Sequence, residues 1–353
     1  MDPGSGAGEA HEGADDSPPV RRSHRRRFDL RRLDPRRLDR RTGAVVITSG
    51  IALSLIVAAI AVGSPDRATW LAAPGAGTSS DPEASAPCGG WECDLQARFA
   101  ATEATAAQAP GHLGIVLRDR VTGQVWRAGA ADRPIWTAST IKLAIIADLM
   151  VRARAGDVKI TGSMRKGFDQ MLAYSANRPA TNLWPTYGGE AALVRYRAEF
   201  GMTGVHFPTS ERLWGALKAT ADDFAALMSY VLERMAAEDR AYIVEAMQTV
   251  DEVQQWGVWA AGPALAPGVK AGWNVEKTPE GESHWVLNSV GFVGPQERYV
   301  VAMMYELLPG TQVAGHRLGD GLHVVNDVVA TLFGAPVPAK IPNPSLLLEP
   351  PPA

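Results

Sequence analysis

Cysteine is almost absent from this chain: Cys88 and Cys93 are the only two among 353 residues. No histidine lies near enough to them in sequence to complete a zinc ligand set, so no metal is expected. No other cofactor is expected either. A strong net charge is also lacking. The formal balance of −3 gives no reason to expect a nucleic-acid partner. No internal repeat occurs, which excludes a solenoid or propeller array.

Charge is missing altogether from the 20 residues Ala44 to Gly63. As a helix this run spans roughly 30 Å, the hydrocarbon thickness of a bilayer. Just before it, 11 arginines lie between Arg21 and Arg41, against Asp29, Asp34 and Asp39. Arginines on that side place the N-terminal end in the cytoplasm and everything after residue 63 outside. The expectation is a single-pass protein of the cell membrane with an extracytoplasmic domain. A cleaved signal peptide is the rival, with Ala59-Ile60-Ala61 as the cleavage site. The length of the apolar run and of the segment before it favours an uncleaved anchor. Outside the cytoplasm, the pair in Cys88-Gly-Gly-Trp-Glu-Cys93 is expected to form a disulfide.

Composition divides the chain into five parts. Residues 1–43 read as a disordered, Arg-rich segment and 44–63 as the anchor. Residues 64–93 are a Gly, Ser, Ala, Pro and Thr linker, 94–335 a folded domain, and 336–353 a Pro-rich tail. Within the domain, periodicity predicts a helix over 94–108 with Asp94 as its N-cap. Two strands, 112–121 and 124–129, follow as a hairpin around Thr122-Gly123. Residues 157–265 are mainly helical, with segments at 168–174, 189–200, 220–237 and 239–254. The period then changes to strands at 269–273, 285–293 and 299–306, before a last helix over 319–333. This order predicts an α+β domain: one antiparallel sheet, terminal helices on one face, and a helical lobe beside it.

The stretch from Thr137 to Met150 is apolar on nearly every helical face, the mark of a buried central helix. Its first turn nevertheless carries Ser139 and Lys142, which share a face at i and i+3. Burial lowers an amine's pKa, so this pair can supply a nucleophile and its base. Backbone N–H groups at the helix start can help hold an oxyanion. The plainer reading is a helix cap beside a snorkelling lysine. A second Ser-x-x-Lys, Ser163 to Lys166, has no apolar helix behind it and reads as a solvated loop.

Two further short motifs follow. One is Ser175-Ala176-Asn177, and the other is Lys270-Ala271-Gly272-Trp273 at the start of a strand. In this order and on these elements, the three motifs resemble the signature boxes of the serine β-lactamase and penicillin-binding-protein superfamily: Ser-x-x-Lys, Ser-Asp-Asn and Lys-Thr-Gly. The flanks Ala180-Thr181-Asn182-Leu183, Gly188-Gly189, Ala219 to Phe224 and Trp285 to Gly291 look like the class A β-lactamase version. The resemblance covers roughly residues 95–335. It implies a five-stranded antiparallel sheet flanked by the terminal helices, an all-helical lobe, and a site in the cleft between them.

Carried over, the roles are these. Ser139 attacks a carbonyl carbon and becomes acylated, and Lys142 takes or relays its proton. Ser175 passes a proton to the leaving nitrogen. Asn177 holds the substrate's side-chain amide and orients Lys142. Lys270 offers positive charge to a substrate carboxylate and tunes Ser175. Amides of Ser139 and Trp273 form the oxyanion hole, and Gly272 leaves room for substrate. Three departures stand out. Ala176 and Ala271 replace the Asp and Thr of the boxes, and the Glu-x-x-Leu-Asn loop that activates the deacylating water in class A enzymes is missing. Glu211 lies in the corresponding region and is the candidate deacylation base, against a plain solvent-facing carboxylate.

The implied activity is membrane-anchored serine hydrolysis of a β-lactam or a peptidoglycan stem-peptide amide. A cell-wall DD-peptidase is the near alternative, and a non-catalytic binding or scaffold protein on the same fold is another.

Overall fold

The computed structural model describes residues 88–308 and 318–338. The Arg-rich segment, the anchor at 44–63, nearly all of the linker and most of the Pro-rich tail lie outside the described residues. Among the described residues, no helix is long and apolar enough to cross a membrane.

The chain opens with α1 (Cys93–Gln96) and α2 (Phe99–Ala107), then β1 (His112–Asp119), β2 (Val125–Gly129) and β3 (Ile135–Trp136). Helices α3 (Ile141–Ala155), α4 (Gly162–Ala173), α5 (Asn177–Tyr187) and α6 (Gly189–Phe200) follow. After β4 (Lys218–Ala219) come α7 (Ala221–Glu233) and α8 (Ala237–Gln248). The last third holds β5 (Gly268–Lys277), β6 (Ser283–Val293), β7 (Tyr299–Leu307) and α9 (Leu318–Phe333). Five strands form one antiparallel sheet in the order β2-β1-β7-β6-β5. The fold class is therefore α+β.

Strand alternation sorts side chains onto the two faces of this sheet. Ile115, Leu117, Val301, Met303 and Tyr305 pack with Leu95, Ala106 and the α9 residues Leu322, Val325, Val328 and Val329. Val116, Val290, Ala302 and Met304, on the other face, pack with α3 and with Phe224 and Leu227 of α7. Terminal helices thus cover one face, and the helical lobe joins the other through α3. Every residue from Ile141 to Met150 is buried, as a helix apolar all round requires. Gly156 ends α3 at φ +87°, a left-handed conformation that suits glycine.

Four local expectations need correction. The helix expected over 94–108 is two pieces that break at Ala97 and Arg98, and Glu92 rather than Asp94 is the N-cap residue. Ser163 to Lys166 is not a loop. Thr161 caps α4 by accepting from the Met164 amide at 3.2 Å, so the tetrad forms the first turn of a helix, with Ser163 and Lys166 exposed. The segment expected at 168–174 therefore starts at Gly162. The helix expected to reach Gln254 ends at Gln248, because Asp251 accepts from the Val253 amide and starts a separate turn.

Candidate active site

Ser139 lies in a tight turn, Ala138 to Thr140, that leads directly into α3. Ala138 is left-handed, at φ +45°, and so is Ser175, at φ +65°. Such non-glycine conformations cost on the order of 1–3 kcal/mol and persist only where the surroundings impose them. Asn288, buried on β6, supplies one such constraint. Its Nδ2 donates to the carbonyls of Trp136 at 2.8 Å and Thr137 at 3.1 Å, while its Oδ1 accepts from the Tyr305 amide. The sheet thereby holds the backbone that enters the Ser139 turn.

Lys142 is fully buried. Its Nζ lies 2.8 Å from Ser139 Oγ, 2.7 Å from Asn177 Oδ1, 2.5 Å from the Ser175 carbonyl and 3.4 Å from Ser175 Oγ. Loss of hydration holds this amine well below the usual lysine range. A neutral amine has two N–H donors and one lone pair. The two carbonyl-type oxygens can only accept, so they use the donors. The contact with the Ser139 hydroxyl is the one through which a proton could pass to a neutral Lys142 amine.

Lys270, on β5, is also fully buried. Its Nζ lies 2.9 Å from Ser175 Oγ and 2.5 Å from both Gln254 Oε1 and the Ala271 carbonyl. Burial, and secondarily the nearby Lys142 amine, hold it well below its ordinary value. Ser139, Lys142, Ser175 and Lys270 thus form one continuous chain of polar contacts.

Gly272 sits where β5 touches the Ser139 turn. A Cβ there would lie 2.5 Å from the Thr140 amide nitrogen and 2.9 Å from that of Ser139. No side chain fits this approach. Trp273 follows on the edge strand, half-buried, with its ring 6.4 Å from that of Trp256 in an edge-on arrangement. Asn177 begins α5.

Glu211 is exposed on the loop before a short turn at Trp214 to Ala216. It lines a cavity of about 540 Å³ together with Asn177, Trp184, Trp214 and Glu276. Among the described residues it makes no bond to Lys142. Far from this cluster in sequence, Cys88 and Cys93 are joined as a disulfide at the domain entrance.

Sequence reasoning missed two residues of the cluster. The sequence places Gln254 at the end of a helix, whereas it lies in the separate turn Glu252 to Gln254. Its Nε2 in fact donates to the carbonyls of Leu172 and Ala173, which leaves Oε1 for Lys270 and the Ala271 amide. Trp214 covers Lys142, with the amine 4.8 Å from the ring centroid. Gln254 carried no signal, since Asp251, Glu252 and Gln255 beside it are polar too. Trp214 carried none beyond its place three residues after Glu211.

No family model matches the chain. LppW of Mycobacterium tuberculosis and of Mycobacterium bovis, each named as a proposed lipoprotein, are 29% identical over 231 residues. The match covers 63% of this chain and 71% of theirs. A β-lactamase from Burkholderia vietnamiensis is similar in structure at a TM-score of 0.54 and 21% identity, over 67% of this chain and 96% of that one. A class A β-lactamase from Bacteroides cellulosilyticus gives 0.53 and 14%, over 68% and 97%. With its five-stranded sheet, flanking terminal helices and helical lobe, the described domain has the fold of the serine β-lactamases and penicillin-binding proteins.

Proposed function

We propose that this chain is a serine hydrolase of β-lactamase type, working through an acyl-enzyme on a β-lactam or peptidoglycan-like amide. One observation carries the reading: a buried amine, held low by lost hydration, 2.8 Å from the hydroxyl of Ser139. Ser139 Oγ attacks the carbonyl carbon while Lys142 accepts its proton. The developing oxyanion is assigned to the amides of Ser139 and Trp273. Ser175 Oγ, 3.4 Å from Lys142 Nζ and 2.9 Å from Lys270 Nζ, then gives its proton to the leaving nitrogen and takes the one that Lys142 received from Ser139. The C–N bond breaks, and the acyl group stays on Ser139 as an ester.

Residues 44–63 are proposed to hold the domain at the outer face of the cell membrane. Their uncharged length and the arginines before them support this, and the lipoprotein name of the LppW relatives supports membrane association as such. A cell-wall DD-peptidase is a second reading. It is favoured by the aromatic ring, rather than a carboxylate, that meets Lys142.

Intact-mass measurement after exposure to a penicillin tests the proposal. An adduct is expected on the peptide that contains Ser139. Ser139→Ala should abolish it, and Ser163→Ala should not. Absence of any adduct, or one that survives Ser139→Ala, overturns the assignment.

A further inference from the structure

The polar contacts of Lys142 leave one side of the amine to be filled. Ser139, Asn177 and Ser175 supply its oxygen partners, and the face of the Trp214 indole supplies the rest, 4.8 Å from Nζ to the ring centroid. The ring is fixed from two directions. Its backbone lies in a tight turn, and its Nε1 donates to Thr181 Oγ1 on α5 at 3.1 Å. Glu211, three residues earlier, lines the same cavity but stays exposed. Among the described residues no carboxylate touches Lys142.

Hydrolysis of an acyl-Ser139 ester needs a water on the acyl carbon and a base for its proton. The water oxygen bonds to that carbon, the bond from carbon to Ser139 Oγ breaks, and a proton returns to Oγ. Base assistance at this step is typically worth ~10²–10⁴-fold. An indole face accepts no proton, and it excludes the solvent that a carboxylate would hold.

We infer that Trp214 is a positioning residue that keeps hydrolytic water away from Lys142 and so prolongs the life of the acyl-enzyme. It acts through Lys142 and does not react itself. The inference rests on the reading of Ser139 as the acylated residue. Acylation on the alkaline side of its acid limb is little affected, since the Ser139–Lys142 contact does not involve the ring. Deacylation carries the effect. The two steps should therefore respond differently to loss of the ring, which a mere packing role does not produce.

The test uses the full chain, a penicillin as acylating reagent, and intact mass against time. In Trp214→Ala, deacylation is expected to accelerate at least ~10-fold, with acylation within ~3-fold of the parent protein. Trp214→Phe keeps an aromatic cover, so its deacylation should stay within ~3-fold. Removing the ring also rehydrates the amine, so the acid limb of the acylation pH profile should move to higher pH in Trp214→Ala. If the alanine variant does not fold, Trp214→Leu serves in its place, with a smaller acceleration in the same direction. An adduct that forms normally but clears at an unchanged or slower rate in these variants overturns the inference and leaves the acyl-enzyme reading intact. Equal loss of both steps, with no pH shift, also overturns it. Failure of the parent protein to form any adduct overturns both.

Discussion

Lys142 and Lys270 are arranged alike: each buried amine meets two carbonyl oxygens and a serine hydroxyl, and Lys142 has a further, longer contact of 3.4 Å with Ser175 Oγ, the hydroxyl that Lys270 also meets. For Lys142 these are Asn177 Oδ1, the Ser175 carbonyl and Ser139 Oγ. For Lys270 they are Gln254 Oε1, the Ala271 carbonyl and Ser175 Oγ. The carbonyl oxygens can only accept, so they take N–H donors from each amine. No carboxylate contacts either lysine among the described residues, so no negative charge there offsets the loss of hydration.

The first prediction concerns stability against pH. Both lysines have folded-state pKa values well below those of the unfolded chain, where lysine titrates near ~10.4. Between the two values the unfolded state binds more protons, so stability rises with pH. As pH falls from about 10, these two groups progressively destabilise the fold, until the folded values are passed. Denaturant unfolding across pH 6–10 should show this slope. Lys270→Met should flatten it. An unchanged slope in Lys270→Met would show that the amine is charged in the folded protein.

Gln254 gives a second prediction. It bridges the carbonyls of Leu172 and Ala173 to Lys270 and the Ala271 amide. Gln254→Leu leaves buried polar partners unpaired, at ~1–3 kcal/mol for such a group. The unfolding free energy should drop by about that amount. Gln254→Glu should instead place a charge beside Lys270 and favour its ammonium form. The alkaline part of the acylation profile should then move upward. A Gln254→Leu variant as stable as the parent protein would refute the bridging role.

The third prediction follows from the close approach of β5 to the nucleophile. Gly272→Ala puts a Cβ against backbone nitrogen atoms of Ser139 and Thr140, which cannot swing aside as a flexible side chain can. The edge strand must shift. A misplacement of about 1 Å in a catalytic site can reduce rate ~10²-fold. Adduct formation should slow by that order while circular dichroism stays near the parent spectrum. Normal acylation kinetics in Gly272→Ala would show that the strand does not position the reaction.

Much of this arrangement was legible in the sequence because it follows local rules. The apolar run from Ile141 to Met150 marks α3, and strand alternation marks β1 and β7. The Ser139, Ser175 and Lys270 motifs lie within hydrogen-bond reach of one another in the folded chain. The misses share a physical cause. Trp214 lies in one short turn and Gln254 in another, and such turns carry no periodicity. Their roles depend on contacts with residues tens of positions away. The break at Ala97 and Arg98 likewise follows from no sequence feature of the 94–108 stretch.

The last prediction separates the two halves of the reaction. On the proposed reading Ser139 and Lys142 carry acylation, and the described contacts of Lys142 include Trp214 but not Glu211. Turnover of a chromogenic cephalosporin should therefore show a burst equal to the enzyme concentration, followed by a slow steady rate. Glu211 lies in the cavity beside Asn177 and is the remaining candidate to activate water. If it serves as the base, Glu211→Gln should slow the steady phase by ~10²-fold or more and trap the adduct. Its exposure and its lack of a bond to Lys142 point the other way, so both phases are expected to stay within ~3-fold in Glu211→Gln. Trapping in that variant would assign Glu211 as the deacylation base. Rapid turnover without a burst in the parent protein would instead mean that water is activated by a group outside the contacts of Lys142.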